Sequence, residues 1–431
     1  MPRVCGKVAP VRAPGRAARR WRHRTAGVAA VAMTCAVAAC GGANDNVPYL
    51  PVVSWYVGPD RLDAAALAAT CNDQAGSDYR IEVEQLPADV GARRALLVRR
   101  LLAKDSSMDL LSLDTSSTAE LASAGFLAPV PTAQVAALSD GVTPAALAAA
   151  THDGRLVAAP WFLDPQVLWF RGNTAERAGL DTTQPISWDD LVAGAQRLGV
   201  TVEIEDRDGS GLSEWVNGLV AGSGGALVSG KGRSTTVGLD SDAGRSAASV
   251  VEFYDEAGVG PGPSSDALAR FAGANGGFLL ASTSAIADPA LAAVQADMRA
   301  TAYPVVGNTS VAPMAGVGLA VPRHAKDRTQ AFEAVGCLTS ATSLQALATG
   351  PQHTPSRLAV LDDPAVAQAF RSADVARAAA TTGVTVPVTP WWGNVVDALD
   401  ETWSPVSSVT QDATPQTSQA EVEAAVEGTI R

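Results

Sequence analysis

The strongest constraint on the fold of this chain lies between residues 52 and 124, where the hydrophobic period changes repeatedly. Val52-Val53-Ser54-Trp55-Tyr56 is a short β-rich run, closed by a turn-like Gly58-Pro59-Asp60. Residues 62–74 read as a helix. Residues 81–86 alternate apolar side chains with Glu and Gln, as a strand does. Residues 91–103 are helical, with Leu97 and Leu101 on one face, and 108–113 form an apolar strand ending in Asp114. A helix at 118–124 follows. Strand alternating with helix at this spacing predicts an α/β domain with a largely parallel sheet. In such sheets ligands sit beyond the carboxyl ends of strands, where Tyr56, Gln85 and Asp114 fall.

A second run of elements follows. Residues 157–162 are extended and 167–170 form a separate strand. Ser187 caps a helix, Asp190 completes a capping box, and Trp188, Leu191, Ala195 and Leu198 follow at helical spacing. Helices are expected over 212–220, 243–257, 325–338 and 344–348, with strands over 278–280 and 317–321. Residues 385–390 read as irregular, and 407–419 as a loop before a final helix. The chain shows no repeat of 20–50 residues.

The N-terminus reads as an address. All eight basic residues before position 39 lie in residues 3–24, no acidic residue precedes position 40, and residues 25–36 are a short apolar run. This is the layout of a secretory signal over 1–39, too short to span a bilayer. Either the general secretory or the twin-arginine route fits, the following Trp-Arg-His favouring the former. Losing those eight charges takes the net charge from −12 to −20, which excludes nucleic acid and anionic lipid as ligands. Only His152, His324 and His353 then remain, so neither a histidine-rich metal site nor a cofactor is expected. The run Val37-Ala38-Ala39-Cys40 resembles the lipobox of bacterial lipoproteins. That resemblance implies diacylation of Cys40, residues 40–48 as a tether, and a cell-membrane location on the extracytoplasmic side. Two cysteines are left, Cys71 and Cys337. In an oxidising compartment they have one possible pairing, the alternative being two buried free thiols.

Five motifs then fall in a recognisable order. Asp109–Asp114 with Ala119–Pro129, Gly154–Trp161 with Leu168-Trp169-Phe170, Ser187–Leu191, Gly316–Pro322 with Phe332-Glu333-Ala334, and Pro387–Trp392 together resemble family 1 extracellular solute-binding proteins, the receptors of ABC sugar importers. Within that family the chain is most similar to actinobacterial trehalose-binding lipoproteins, sharing Asp114, Trp215, Asn217 and the Cys71/Cys337 pair. It departs from them at Ala281-Ser282-Thr283, in a short 284–305 stretch, and in lacking an arginine over 393–400. The resemblance implies an α/β, two-lobed periplasmic-binding-protein-like fold, with each lobe a mostly parallel sheet flanked by helices and crossover strands at a hinge. Lobe 1 is expected over 49–160 and 285–315, lobe 2 over 161–284 and 316–431, with 323–347 assignable to either. The implied protein is a monomer that binds a carbohydrate and docks on importer subunits.

A sugar site needs flat apolar surface against ring C–H faces and fixed carboxylates or amides for hydroxyls. Trp161 and Trp392 are the favoured stacking platforms, with Tyr56, Trp215 and Trp391 behind them. Asp114 and Asp164 are the hydroxyl acceptors, and Gln85 and Asn217 the amides. Trp55, Trp169 and Trp188 sit inside element patterns and read as core. Residues 225–232 nearly spell a phosphate loop but carry Gly232 where Ser or Thr would hold magnesium, and read as a hairpin. Residues 206–211 match part of a calcium loop whose twelfth position is Asn217. An anchored glycosidase using Asp114 and Asp164 is the competing function, one that requires the two carboxylates to flank a single bond.

Overall fold

The opening alternation resolves into β1 (Val52–Val57), α1 (Ala64–Ala75), β2 (Arg80–Gln85), α2 (Val90–Leu102), β3 (Leu110–Asp114) and α3 (Thr115–Ser123). The computed structural model describes residues 50–230, 235–308 and 310–427. The signal segment, Cys40 and the 40–48 tether lie outside the described residues. β1 runs parallel to β2 on one side and to β3 on the other. Central β3 is buried along Leu110–Leu113, whereas edge strand β2 fully buries only Ile81. Asp63 and Asp89 accept hydrogen bonds from the amides of Ala66 and Ala92, satisfying donors that the starts of α1 and α2 would otherwise leave unpaired.

The chain continues through β4 (Ala159–Arg171), α4 (Trp188–Leu198), β5 (Thr201–Glu205), α5 (Gly211–Gly222), α6 (Asp242–Glu256), β6 (Gly276–Ser282), β7 (Met298–Thr301) and β8 (Pro313–Ala320). Helices α7 (Arg328–Leu338), α8 (Ala341–Thr349), α9 (Trp392–Trp403) and α10 (Thr414–Glu427) complete the chain. The sequence reads two strands at 157–170, but β4 is one 13-residue strand with both Pro160 and Pro165 inside it. Its first half pairs antiparallel with β8, its second half antiparallel with β6 and β7. β4 therefore carries the chain from one half of the molecule to the other, and β8 brings it back against β3, also antiparallel. The main path of the sheet runs Pro263–Ser264, β5, β6, β4, β8, β3, β1, β2. Parallel pairing is kept at its two ends and replaced by antiparallel pairing at the crossover strands. The sheet as a whole is therefore mixed, with parallel pairing within each lobe and antiparallel pairing wherever a crossover strand takes part in that path.

Two large cores lie on either side of the crossover. The first gathers Trp55, Leu111, Leu121, Trp161, Phe162, Leu319, Val335 and Leu338, and the second Trp169, Trp188, Trp215, Tyr254, Phe278 and Trp403. Their membership corrects the expected lobe boundaries. Residues 285–303 bury Ala285, Ile286, Leu291 and Tyr303 in the second core, while residues 317–347 belong to the first. The cause is β8, whose pairing with β3 delivers α7 to the first lobe. Cys71 and Cys337 are disulfide-bonded, with Cα atoms 5.8 Å apart, and join α1 to α7 within that lobe.

Other local readings fare variously. Ser187 caps α4, its Oγ accepting from the Asp190 amide at 3.0 Å. Within the phosphate-loop lookalike, Val228–Ser229 pairs antiparallel with Thr236–Val237, the pairing a hairpin requires. The final helix starts earlier than expected, at Thr414. Among the described residues no helix is long and apolar enough to cross a membrane.

Candidate ligand-binding cleft

The carboxyl end of β3 delivers Asp114 to an opening between the two cores, with Thr115, Ser116 and Ser117 of α3 beside it. Arg94 of α2 and Glu120 of α3 extend that wall. The opposite wall comes from the second lobe: Arg207, Asp208 and Ser210 of the β5–α5 loop, Glu214 of α5, and Trp392, Asn394 and Asp397 of α9. Ala315 and Gly316 of β8 form the floor, and the cleft encloses about 320 Å3. Gly316 allows the floor to pack closely, since a Cβ there would lie 3.0 Å from Leu163 Cδ2 and 3.1 Å from Thr115 Cγ2.

The β5–α5 loop is shaped by its own side chains. Asp206 Oδ1 accepts from the amides of Gly209 and Gly211 at 2.8 and 3.0 Å, and Gly209 has φ +91°, which favours glycine. The carboxylate at the first position of the calcium-like segment thus serves the loop backbone. Ser210 Oγ lies 2.7 Å from Asp208 Oδ1 and 3.0 Å from Glu214 Oε1. Among the described residues no group of three or more His, Cys, Asp and Glu is arranged to hold a metal.

Charges link the two lobes around the cleft. Arg93 of α2 is buried and places Nη2 3.1 Å from Asp114 and 3.5 Å from Asp208. Arg61, in the loop after β1, lies 2.7 Å from Glu205 and 3.0 Å from Asp288 of the second lobe. On β4, Asp164 is 1% exposed, with His353 Nδ1 at 2.8 Å, Ser284 Oγ at 3.1 Å and Arg207 Nη1 at 3.5 Å. Burial opposes ionisation of Asp164, but His353 and Arg207 outweigh it and hold the carboxyl below its usual range. Burial would likewise lower Arg207, yet Asp164, Asp60 and Glu205 raise it. Two carboxyls go the other way. Burial first and Asp114 second push Asp60 up to about 6, although part of its surface stays in an outer groove. Burial first and Asp208 second push Glu214 up to about 7.

The candidate residues separate clearly. Asp114 and Trp392 line the cleft, the indole of Trp392 mostly buried at 5% exposure. Asp164 lies beneath, in a small chamber of about 20 Å3. Trp161 is not a stacking platform. It is fully buried in the first core, edge-on to Trp55, and its Nε1 donates to Leu338 O at 2.9 Å. Trp215 is likewise core, packed between Trp188 and Tyr254. Tyr56 is buried under the Arg100 guanidinium, 4.8 Å from the ring centroid. Asn217 is buried and donates from Nδ2 to Thr385 O. Gln85 lines the outer groove beside Asp60 and Arg61, and Trp391 is 43% exposed at the N-cap of α9, outside the cleft lining. Sequence reasoning missed Arg207, Asp208, Glu214 and Asp397. The one available signal, the acidic 206–211 segment, points there but matches part of a calcium loop instead.

The model of the bacterial extracellular solute-binding protein family matches residues 59–344. A probable ABC transporter-binding protein of Deinococcus radiodurans is 29% identical over 120 residues, which span 27% of this chain and 27% of that protein. Among solved structures, the maltose-bound MalE3 of T. maritima superposes with TM-score 0.74 at 20% identity, covering 86% of this chain and 99% of that one. The GacH receptor of Streptomyces glaucescens, solved unliganded and with acarbose, gives TM-score 0.74 at 18% identity over 88% and 99%. UgpB of Mycobacterium tuberculosis, in complex with glycerophosphocholine, gives 0.73 at 17% over 89% and 100%. At these identities the likeness is one of fold.

Proposed function

The chain belongs to the bacterial extracellular solute-binding protein family, and from that premise we propose that it is a lipid-anchored receptor that captures a di- or oligosaccharide and delivers it to an ABC importer. One observation carries the reading: a cleft of about 320 Å3 lined from both lobes by Asp114, Glu120, Asp208, Glu214 and Asp397 with Trp392 among them. Carboxylates accept paired sugar hydroxyls, and an indole edge covers the apolar side of a ring. The sugar-bound proteins among the structural relatives add to this, and the Val37–Cys40 run supports anchoring through Cys40. The protein acts as a monomer. A glycosidase reading is less well supported, because Asp164, its second carboxylate, is buried against His353 and Arg207.

The test is a thermal-shift screen of mono- and disaccharides, trehalose included, on the mature chain, followed by calorimetry. Asp114→Ala should weaken binding on the order of tenfold to several hundredfold, since charge-assisted hydrogen bonds are lost. Trp392→Ala should weaken it too. Small-angle scattering should show compaction at saturating ligand. Wild-type affinity in both folded variants would place the site elsewhere. Release of cleaved products from oligosaccharides would favour the enzyme.

A further inference from the structure

The chamber beneath the cleft holds about 20 Å3 and shares Arg207, Asp208, Ser210 and Glu214 with the space above, so it forms the inner end of the same site. Its acidic groups differ in what neutralises them. Glu205 meets Arg61, Asp208 meets Arg93, and Asp164 meets His353 and Arg207. Glu214 alone has no cation within ion-pair distance among the described residues. Its carboxylate receives Gln166 Nε2 at 3.2 Å and lies 3.0 Å from Ser210 Oγ, whose single proton is shared with Asp208 at 2.7 Å. Gln166, on β4, is 4% exposed, and having given its Nε2 to Glu214 it leaves Oε1 buried without a hydrogen-bond partner. A buried acceptor left unpaired is costly, and native structures normally supply its donor from water or a ligand.

Gln166 and Glu214 are held side by side by their own hydrogen bond and line one chamber, the Glu214 carboxylate feeling Arg207 only beyond ion-pair distance. The basic side chain of that lining, Arg207, is already drawn to Asp164. The group that completes this arrangement is a donor, and with Asp208 and Glu205 close by, a positively charged donor gains more there than a hydroxyl does. We propose that Glu214 and Gln166 form a subsite for a ligand ammonium group, so that the cleft takes an amine-bearing saccharide in preference to its neutral counterpart. This rests on the sugar-receptor reading above and narrows it. The raised carboxyl of Glu214 agrees, since burial and Asp208 outweigh the pull of Arg207 and a bound ammonium would add counter-charge.

The test compares matched pairs on the mature protein: glucosamine with glucose, trehalosamine with trehalose, and the β-1,4 glucosamine dimer with cellobiose. Thermal shift identifies binders and calorimetry measures them. In at least one pair the amine should bind about tenfold or more tightly than its partner, as expected for a charge-assisted contact. Glu214→Gln should bring that ratio close to one. Gln166→Glu, which adds a second carboxylate at the same place, should raise it, and serves if the first variant fails to fold. Equal or tighter binding of the neutral member in every pair overturns the proposal, leaves the receptor reading intact, and assigns the chamber to a water. A ratio unchanged in both variants also overturns it. If no saccharide of either kind shifts the melting temperature, the receptor reading fails and this inference with it.

Discussion

Replacing Glu214 by Gln should stabilise the unliganded protein at pH 8 and alter it little at pH 5. Burial, with Asp208 second, moves this carboxyl from an ordinary 4.5 to about 7. Because the value is raised in the folded state, the contribution of the protonated carboxyl is fully present below about 4.5 and is lost as pH rises through about 7. Each tenfold change in proton affinity is worth about 1.4 kcal/mol, so the ceiling at pH 8 is roughly 3 kcal/mol. Glu214 is only partly shielded from solvent, which reduces the expected gain to about 1–2 kcal/mol. A glutamine keeps the length of the side chain and can still bond to Ser210 and Gln166. The assay is denaturant unfolding of wild type and variant at pH 5 and pH 8, comparing midpoints at equal slope. Asp60, raised to about 6, loses stability over a lower window and should leave a residual pH slope in the variant. A wild-type-to-variant difference equal at the two pH values, or a variant less stable at pH 8, would refute the reasoning.

Trp161→Ala should cost roughly 3–5 kcal/mol of stability, because a fully buried ring and its bond to Leu338 O are removed. An affinity loss at unchanged stability would return Trp161 to the cleft. Arg61→Ala removes ties of 2.7 and 3.0 Å between the lobes and leaves Glu205 buried without its cation, so it should lower stability by roughly 3–5 kcal/mol and enlarge the radius of gyration. Scattering and unfolding curves that both match wild type would show that this pair does not hold the lobes together.

The α/β order was legible because β1, α1, β2 and α2 each carry a complete local signal: period, cap and turn within a dozen residues. Crossover strand β4 was not, since two prolines within a buried apolar run look like breaks, whereas here β8 and β6 hold the strand continuous. The same break, with Trp161 directly after Pro160 at the crossover, makes Trp161 look like a site residue. The lobe boundaries failed for a related reason. Which lobe the chain enters after β8 depends on the pairing of β8 with Asp114 and Ser112, about which its own residues say nothing. In the candidate site, Asp114 is suggested by its strand end and Trp392 by the Pro387–Trp392 motif. Arg61, Glu205 and His353 could not, because their partners lie 227, 144 and 189 residues away and their importance is pairwise. The Val-Glu-Ile-Glu stretch of β5 alternates apolar with acidic residues, and Glu203 and Glu205 are nonetheless both buried.

Both lobes are discontinuous in sequence, and a chain made from its N-terminus onward must live with the delay. The far edge of β3 stays open until β8 has been synthesised to pair with it, and an unpaired strand edge is a template for the wrong partner. The second core waits longer still, for Leu399 and Trp403 of α9 and Val422 of α10. Trp392 and Asp397 therefore arrive after the rest of the cleft is laid out. A chain broken off before them would own the first wall, the floor and the Arg207–Glu214 part of the second, but not the indole, so retention of ligand would report that α9 had been made.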